Sequence, residues 1–164
     1  MKYFLLLLIG PIAVLAGDPD FDSYWHDGTA ELDGYRMTIS RYGQPRHAQG
    51  VAIYVTEPFS ESKRVKVDDP SRNPSNVVDV LKLNLVRDFQ TGIYDYNTMV
   101  SVFVRASDFS PLKVTFSSAE WCGHVFEELL FHPSKITGFY NSYFEGETGQ
   151  RDLVWPKDGI TEDS

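Results

Sequence analysis

Val80-Leu81-Lys82-Leu83-Asn84-Leu85-Val86 decides the fold class. Leu81, Leu83 and Leu85 alternate with Lys82 and Asn84, which is the two-residue period of a strand with one face buried and the other polar. Working outward, Tyr96-Asn97-Thr98-Met99-Val100-Ser101-Val102-Phe103-Val104 repeats the pattern: Val100, Val102 and Val104 share a face, with Asn97 and Ser101 opposite. Further runs rich in β-branched and aromatic residues occupy 30–41, 50–57, 63–68, 112–119, 124–132 and 135–144. The links carry turn residues: Tyr42-Gly43-Gln44-Pro45, the long Asp69-Pro70-Ser71-Arg72-Asn73-Pro74-Ser75, Gln90-Thr91-Gly92, Asp108-Phe109-Ser110-Pro111 and His132-Pro133-Ser134. Most links are short and favour antiparallel neighbours, so about eight strands form a mainly β antiparallel meander, barrel-like or strongly curved. A two-sheet sandwich fits the same periodicity. Helical spacing is almost absent, and Val125-Phe126-Glu127-Glu128-Leu129-Leu130 reads either as strand or as about one and a half turns of helix.

The chain begins with a leader. One basic residue, Lys2, precedes the apolar run Tyr3 to Ile9, and the small-residue exit Val14-Leu15-Ala16-Gly17 places cleavage after Ala16. Residues 1–16 are therefore read as a signal peptide, 17–28 as an extended lead-in, 29–146 as the β domain and 147–164 as a polar C-terminal segment. Leu15-Ala16-Gly17 is also how a bacterial lipobox begins, but Asp18 stands where the lipidated cysteine would be. The expectation is an exported protein, periplasmic or secreted, without a lipid anchor and without an integral membrane segment once the leader is gone. The 164 residues less that leader make one domain large enough to fold without staples. Its 15 lysines and arginines, less Lys2, stand against 23 acids, a surface that repels nucleic acid and anionic membranes.

Chemistry concentrates around the single cysteine, in Glu120-Trp121-Cys122-Gly123-His124. On one strand, Glu120, Cys122 and His124 would face the same way and supply a carboxylate, a thiol and an imidazole. That is enough for a thiolate nucleophile with its base, or for part of a metal site. A metal would need a further ligand from another strand, with His26, His47 and His132 as the available histidines. The plainer reading packs Cys122 as a small apolar residue and leaves Glu120 and His124 in water. Trp121-Cys122-Gly123-His124 is similar to the tetrad of thioredoxin-like isomerases, yet Val125 stands where the second cysteine belongs, which removes the internal disulfide.

Two other features suggest binding. Arg41 and Arg46 flank a tight turn and could grip an anionic group, and Tyr94 and Tyr96, with Phe139-Tyr140 and Tyr143-Phe144, could line an apolar cavity. Arg41, Arg46, Tyr94, Tyr96 and Trp121 are thus the candidate ligand-binding residues, and no cofactor is expected beyond the metal alternative. A Gly-rich phosphate loop, a serine nucleophile elbow, a His-Glu-x-x-His motif and an Asp-rich calcium loop are all missing.

Taken together, Tyr24-Trp25-His26-Asp27-Gly28-Thr29-Ala30-Glu31-Leu32, Arg41-Tyr42-Gly43, Val55-Thr56-Glu57-Pro58-Phe59-Ser60, Leu81-Lys82-Leu83-Asn84, Thr91-Gly92-Ile93-Tyr94-Asp95-Tyr96 and Glu120-Trp121-Cys122-Gly123-His124 resemble an uncharacterised family of exported bacterial proteins, some labelled "septum formation inhibitor Maf". The resemblance implies export and no established activity. Maf nucleotide pyrophosphatases have an α/β fold and an N-terminal Ser-x-Ser-x-x-Arg element, whereas Ser60-Glu61-Ser62-Lys63-Arg64 has a different spacing. Relatives of that family look longer, so the ending at Ser164 reads as a truncation that leaves an open sheet edge. The function expected is that of a non-enzymatic binding module for a small apolar ligand or a protein partner. The alternatives are a metal or thiol site at Cys122 and His124, and a structural, oligomeric envelope component.

Overall fold

The structure is a computed structural model that describes residues 19–154. Its elements are α1 (Pro19–Trp25), β1 (Glu31–Arg41), β2 (Gln44–Ser60), β3 (Val65–Lys66), β4 (Val77–Thr91), β5 (Tyr94–Arg105), β6 (Pro111–Glu120), β7 (Gly123–Phe131), β8 (Lys135–Ser142) and β9 (Gly149–Val154). All nine strands join one antiparallel sheet in the order β1-β2-β4-β5-β6-β7-β8-β9, with the two-residue β3 paired beside β2. The sheet is not closed, because β1 and β9 lie at its two ends. It is a meander, and neither a closed barrel nor a sandwich forms among the described residues.

Two segments differ from the sequence reading, and one ambiguity is resolved. Part of the segment expected to be an extended lead-in is the helix α1: Pro19 pre-sets the first turn, where its missing N–H costs nothing, and Asp20 and Asp22 sit at the positive end of the helix dipole. The ninth strand, β9, falls inside the segment expected to be a polar tail; its alternation is weak because every residue in it is exposed. The ambiguous run from Val125 is strand β7. The signal peptide of residues 1–16 and the ending at 155–164 lie outside the described residues.

Turn chemistry fixes the register. Tyr42 and Gly43 both have positive φ, 54° and 70°, so the β1–β2 link is a two-residue hairpin in which Arg41 pairs with Gln44. Gly92, at φ 66°, turns β4 into β5, and Trp121-Cys122 turns β6 into β7. The meander puts these three turns and the β8–β9 link at one end of the sheet, here called the tips. The long β2–β4 excursion and the β5–β6 and β7–β8 links lie at the other end, the base.

Cross-strand partners share a face, so the register assigns every side chain. One face is aliphatic: Tyr54, Leu83, Val102, Val114 and Leu129 form a single row, flanked by Ala52, Leu85, Val100 and Phe116 on one side and by Thr56, Leu81 and Val104 on the other. The opposite, polar face carries Lys82, Asn84, Asp88 and Gln90. The described strands form one curved sheet with no second sheet beside it, and side chains of strands that are not neighbours meet across the curve, as Phe59 and Leu112 do.

Burial changes face along the strands. At the base the polar face is the covered one: Phe59, Val80 and Leu112 form the core, with Val78 and Phe103 against it. Its lid is the turn after β2, where Arg64 Nη2 donates to Phe131 O at 3.0 Å and Lys113 Nζ donates to Arg64 O at 3.2 Å. At the tips the aliphatic face is covered instead: Ala48, Ala52, Tyr96 and Thr98 are buried while Gln49, Asp88 and Asn97 are exposed. The leucines between these two zones are half-buried.

Candidate functional site

Every candidate site residue comes to the tips. Arg41 ends β1 and Arg46 lies near the start of β2; Tyr94 and Tyr96 begin β5; Glu120 ends β6; Trp121 and Cys122 form the turn; and His124 follows it in β7. The chain gathers them because one antiparallel meander returns to the same end at each of these hairpins.

The expected alignment of Glu120, Cys122 and His124 does not occur. Glu120 pairs with Gly123 and Ala119 with His124, so the chain reverses between the carboxylate and the imidazole. Tyr96 opposite Glu120 places that side chain on the aliphatic face, whereas Ala119 places His124 on the polar face. Cys122, in the turn, is exposed rather than packed. The two-residue strand period that was assumed for these side chains breaks at the hairpin. Among the described residues no group of three or more His, Cys, Asp and Glu side chains is placed to hold a metal. Trp121, expected either in the core or against a ligand, is 62% exposed.

Glu120 instead belongs to a polar cluster that closes the aliphatic face. Its carboxylate is almost fully buried and lies 3.8 Å from Arg41 Nη2. Three strands separate β1 from β6, and four flat spacings would hold them about 19 Å apart, so the ion pair records a strong curl at this end. The Arg41 guanidinium also stacks on Tyr42 and Tyr96, 4.8 and 5.1 Å from the ring centroids, and the two tyrosine hydroxyls share a hydrogen bond of 3.1 Å. That bond is the main reason the Tyr96 phenol sits above its ordinary range. Burial alone would lower the Arg41 pKa, but Tyr96 and Tyr42 outweigh it and the net direction is upward. Arg46 stays outside the cluster and donates to Gln44 at 2.6 Å. The two-arginine grip is therefore not formed: Arg41 is engaged by Glu120 and two rings, and Arg46 turns to its own strand.

On the polar face the tips hold a groove of about 950 Å³ that crosses six strands. Its floor is backbone at Met37, Ala48, Phe89, Tyr96 and Glu120, and its walls are the side chains one residue to either side. Two pairs of wall groups engage each other: Asn97 Nδ2 donates to Asp88 at 2.5 Å, and Gln90 donates to Asp95. The groove is polar and open, and it contains no nucleophile paired with a base.

Sequence reasoning missed Tyr42, which anchors the cluster. Its signal was available, because an aromatic residue directly before Gly in a tight hairpin must adopt a positive φ that bulky residues avoid. Also missed was Ile93, an exposed apolar residue in the neighbouring turn, whereas Tyr143 and Phe144, read as possible cavity-lining residues, are exposed in the β8–β9 link.

No protein-family model, curated protein or solved structure matches this chain.

Proposed function

We propose that the protein is an exported, non-enzymatic binding module that takes a small apolar ligand on the aliphatic face of its sheet. The observation that carries this reading is the central block of Leu81, Leu83, Leu85, Val100, Val102, Val114, Phe116 and Leu129. These side chains are contiguous across four strands and only half-buried. Sheets normally bury such a face against a second layer. Here α1 lies against the base half of that face and reaches its central row at the β2 side, where Trp25 meets Tyr54 at 6.1 Å and its carbonyl accepts from Thr56, and the curled β1–β2 hairpin closes the tips. An apolar molecule lying between those two ends would complete the missing layer, gaining about 25 cal/mol per Å² removed from water. The leader and the family resemblance support export. The open groove suits the role less well, since its walls are polar and four of their side chains are already hydrogen-bonded in pairs.

The test is native mass spectrometry of the purified chain, followed by titration with a long-chain fatty acid. Bound ligand, displaced in Leu83→Lys with the fold retained by circular dichroism, supports the reading. No co-purifying molecule and no saturable binding by the wild-type chain would sink it.

A further inference from the structure

All four turns at the tips carry exposed apolar residues: Tyr42 in the first, Ile93 and Tyr94 at the second, Trp121 in the third, and Tyr143 and Phe144 in the fourth. Turns ordinarily take small and polar residues, and those at the base come nearer to it: the excursion of residues 61–76 holds Glu61, Lys63, Arg64, Lys66, Asp68, Asp69 and Arg72, and the exposed apolar residues there are Val65 and Phe109, the latter against Phe21. The three two-residue turns, Tyr42-Gly43, Gly92-Ile93 and Trp121-Cys122, contain no charge in a chain that is 23% charged, while the longer fourth link follows Tyr143-Phe144 with Glu145 and Glu147. The tips are also physically linked. Tyr94 meets Trp121 at 5.6 Å between ring centroids, Tyr143 meets Phe144 at 5.5 Å, and the Tyr143 ring lies so close over Gly123 that a Cβ there would be 2.3 Å from it.

We infer that the tips dock on the interfacial layer of a lipid bilayer, with the sheet standing on its four hairpins. Tyrosine and tryptophan combine an apolar ring with a polar group, and they concentrate where hydrocarbon meets water. The arrangement fits an interface better than a protein groove, because the apolar residues project from four separate turns along one end rather than from a face. Charge selects the kind of surface. The chain carries a net charge of −8, so the preferred bilayer is zwitterionic, and attachment depends on apolar contact more than on salt. This goes beyond the ligand-binding reading and stands without it, since it uses the turns and not the aliphatic face.

Cys122 supplies the probe, being the single cysteine of the chain and exposed within the third tip. The full chain is labelled there with an environment-sensitive dye and mixed with phosphatidylcholine vesicles. A second sample carries the dye at the base, through Cys122→Ser with Ser134→Cys. The expected result is a blue shift and lipid-borne quenching at Cys122 and none at Ser134→Cys, little changed by added salt and weakened by added phosphatidylglycerol. Trp121→Ser with Tyr143→Ser lowers vesicle partitioning about tenfold or more; where that pair unfolds the sheet, Trp121→Ser alone is used with the same readout. An unmoved tip dye overturns the inference. So does an equal response at the base, which marks attachment through the apolar leader, or a dye shift that follows protein concentration without vesicles, which marks a second copy as the occupant.

Discussion

Phe59→Ala and Leu83→Ala remove similar side chains from two places that the sheet treats differently, and the difference between them measures how open the aliphatic face is. Phe59 is 1% exposed, stacks on Phe103 at 5.2 Å and packs with Val80 and Leu112 beneath the lid formed by the turn after β2. Truncating a phenylalanine in such a place costs about 3–5 kcal/mol. For a domain of this size that corresponds to a fall in melting temperature of roughly 10–20 °C. Leu83 sits in the centre of the most regular hydrophobic pattern in the chain but is only half-buried, and part of its methyl surface already meets water in the folded state. Its truncation should cost about 1.5–2.5 kcal/mol, below the value for a fully buried side chain. The assay is urea unfolding of wild type and both variants followed by circular dichroism and tryptophan fluorescence, each variant at two protein concentrations. If Leu83→Ala destabilises as much as Phe59→Ala, the aliphatic face is covered in solution, and the reasoning that leaves it open to a ligand fails. Should the Leu83→Ala cost rise with protein concentration, the cover is a second copy.

Three more outcomes follow from local geometry. Arg105 donates to Glu61 at 2.6 Å and is the main cause of that carboxyl's lowered pKa, so Arg105→Ala should return the Glu61 titration, read by NMR, to the ordinary glutamate range. A depressed folded pKa stabilises above the unfolded value and loses that contribution as pH falls through the folded one; the stability gap between Arg105→Ala and wild type should therefore narrow on acidification. Gly50→Ala would put a Cβ 3.2 Å from Val86 O and 2.6 Å from Met37 Cε, and because the backbone oxygen cannot move freely it should cost about 1–2 kcal/mol in denaturant unfolding. Gly34→Ala on edge strand β1 meets nothing within 4 Å and should be neutral or slightly stabilising. Cys122 should be alkylated by iodoacetamide in the native state at about the rate of a small free thiol; a much faster reaction would restore the thiol-site reading.

The fold was legible where residues alternate strictly. Leu81, Leu83 and Leu85 face one way in the structure as in the sequence, and so do Val100, Val102 and Val104. What alternation could not show is which face is covered at which height. On β2 the buried positions are Ala48, Gly50 and Ala52 near the tips and Glu57 and Phe59 at the base, an even set followed by an odd one, with Ser60 also buried at the strand's last residue. That change depends on a lid formed by Arg64, which meets Phe131 67 residues later in the chain, and no local pattern encodes so distant a contact. The candidate site was legible as a list of residues and not as a geometry. Reading Glu120, Cys122 and His124 as one strand overlooked that Gly123 can close a two-residue hairpin, after which residues two apart no longer share a face.

The thin core and the proposed binding role have one physical origin. A sheet of this size gains stability by covering one whole face, yet this one covers its polar face at the base and its aliphatic face at the tips and beside α1, and leaves the leucine rows between them partly in water. Side chains in that position contribute little to holding the chain together and are, for the same reason, available to hold something else. Stability then rests on the base, with Phe59, Val80, Leu112 and the Arg64 lid, while Arg41, Tyr42, Tyr96 and Glu120 keep the tip end curled. Tyr42 shows what that curl costs: a bulky residue at φ 54° is strained, and the conformation persists because its hydroxyl reaches Tyr96 and its ring lies under Arg41. The same strained turn leaves the Tyr42 ring largely exposed, so the contacts that close the aliphatic face also fix how the first of the aromatic tips is presented to solvent.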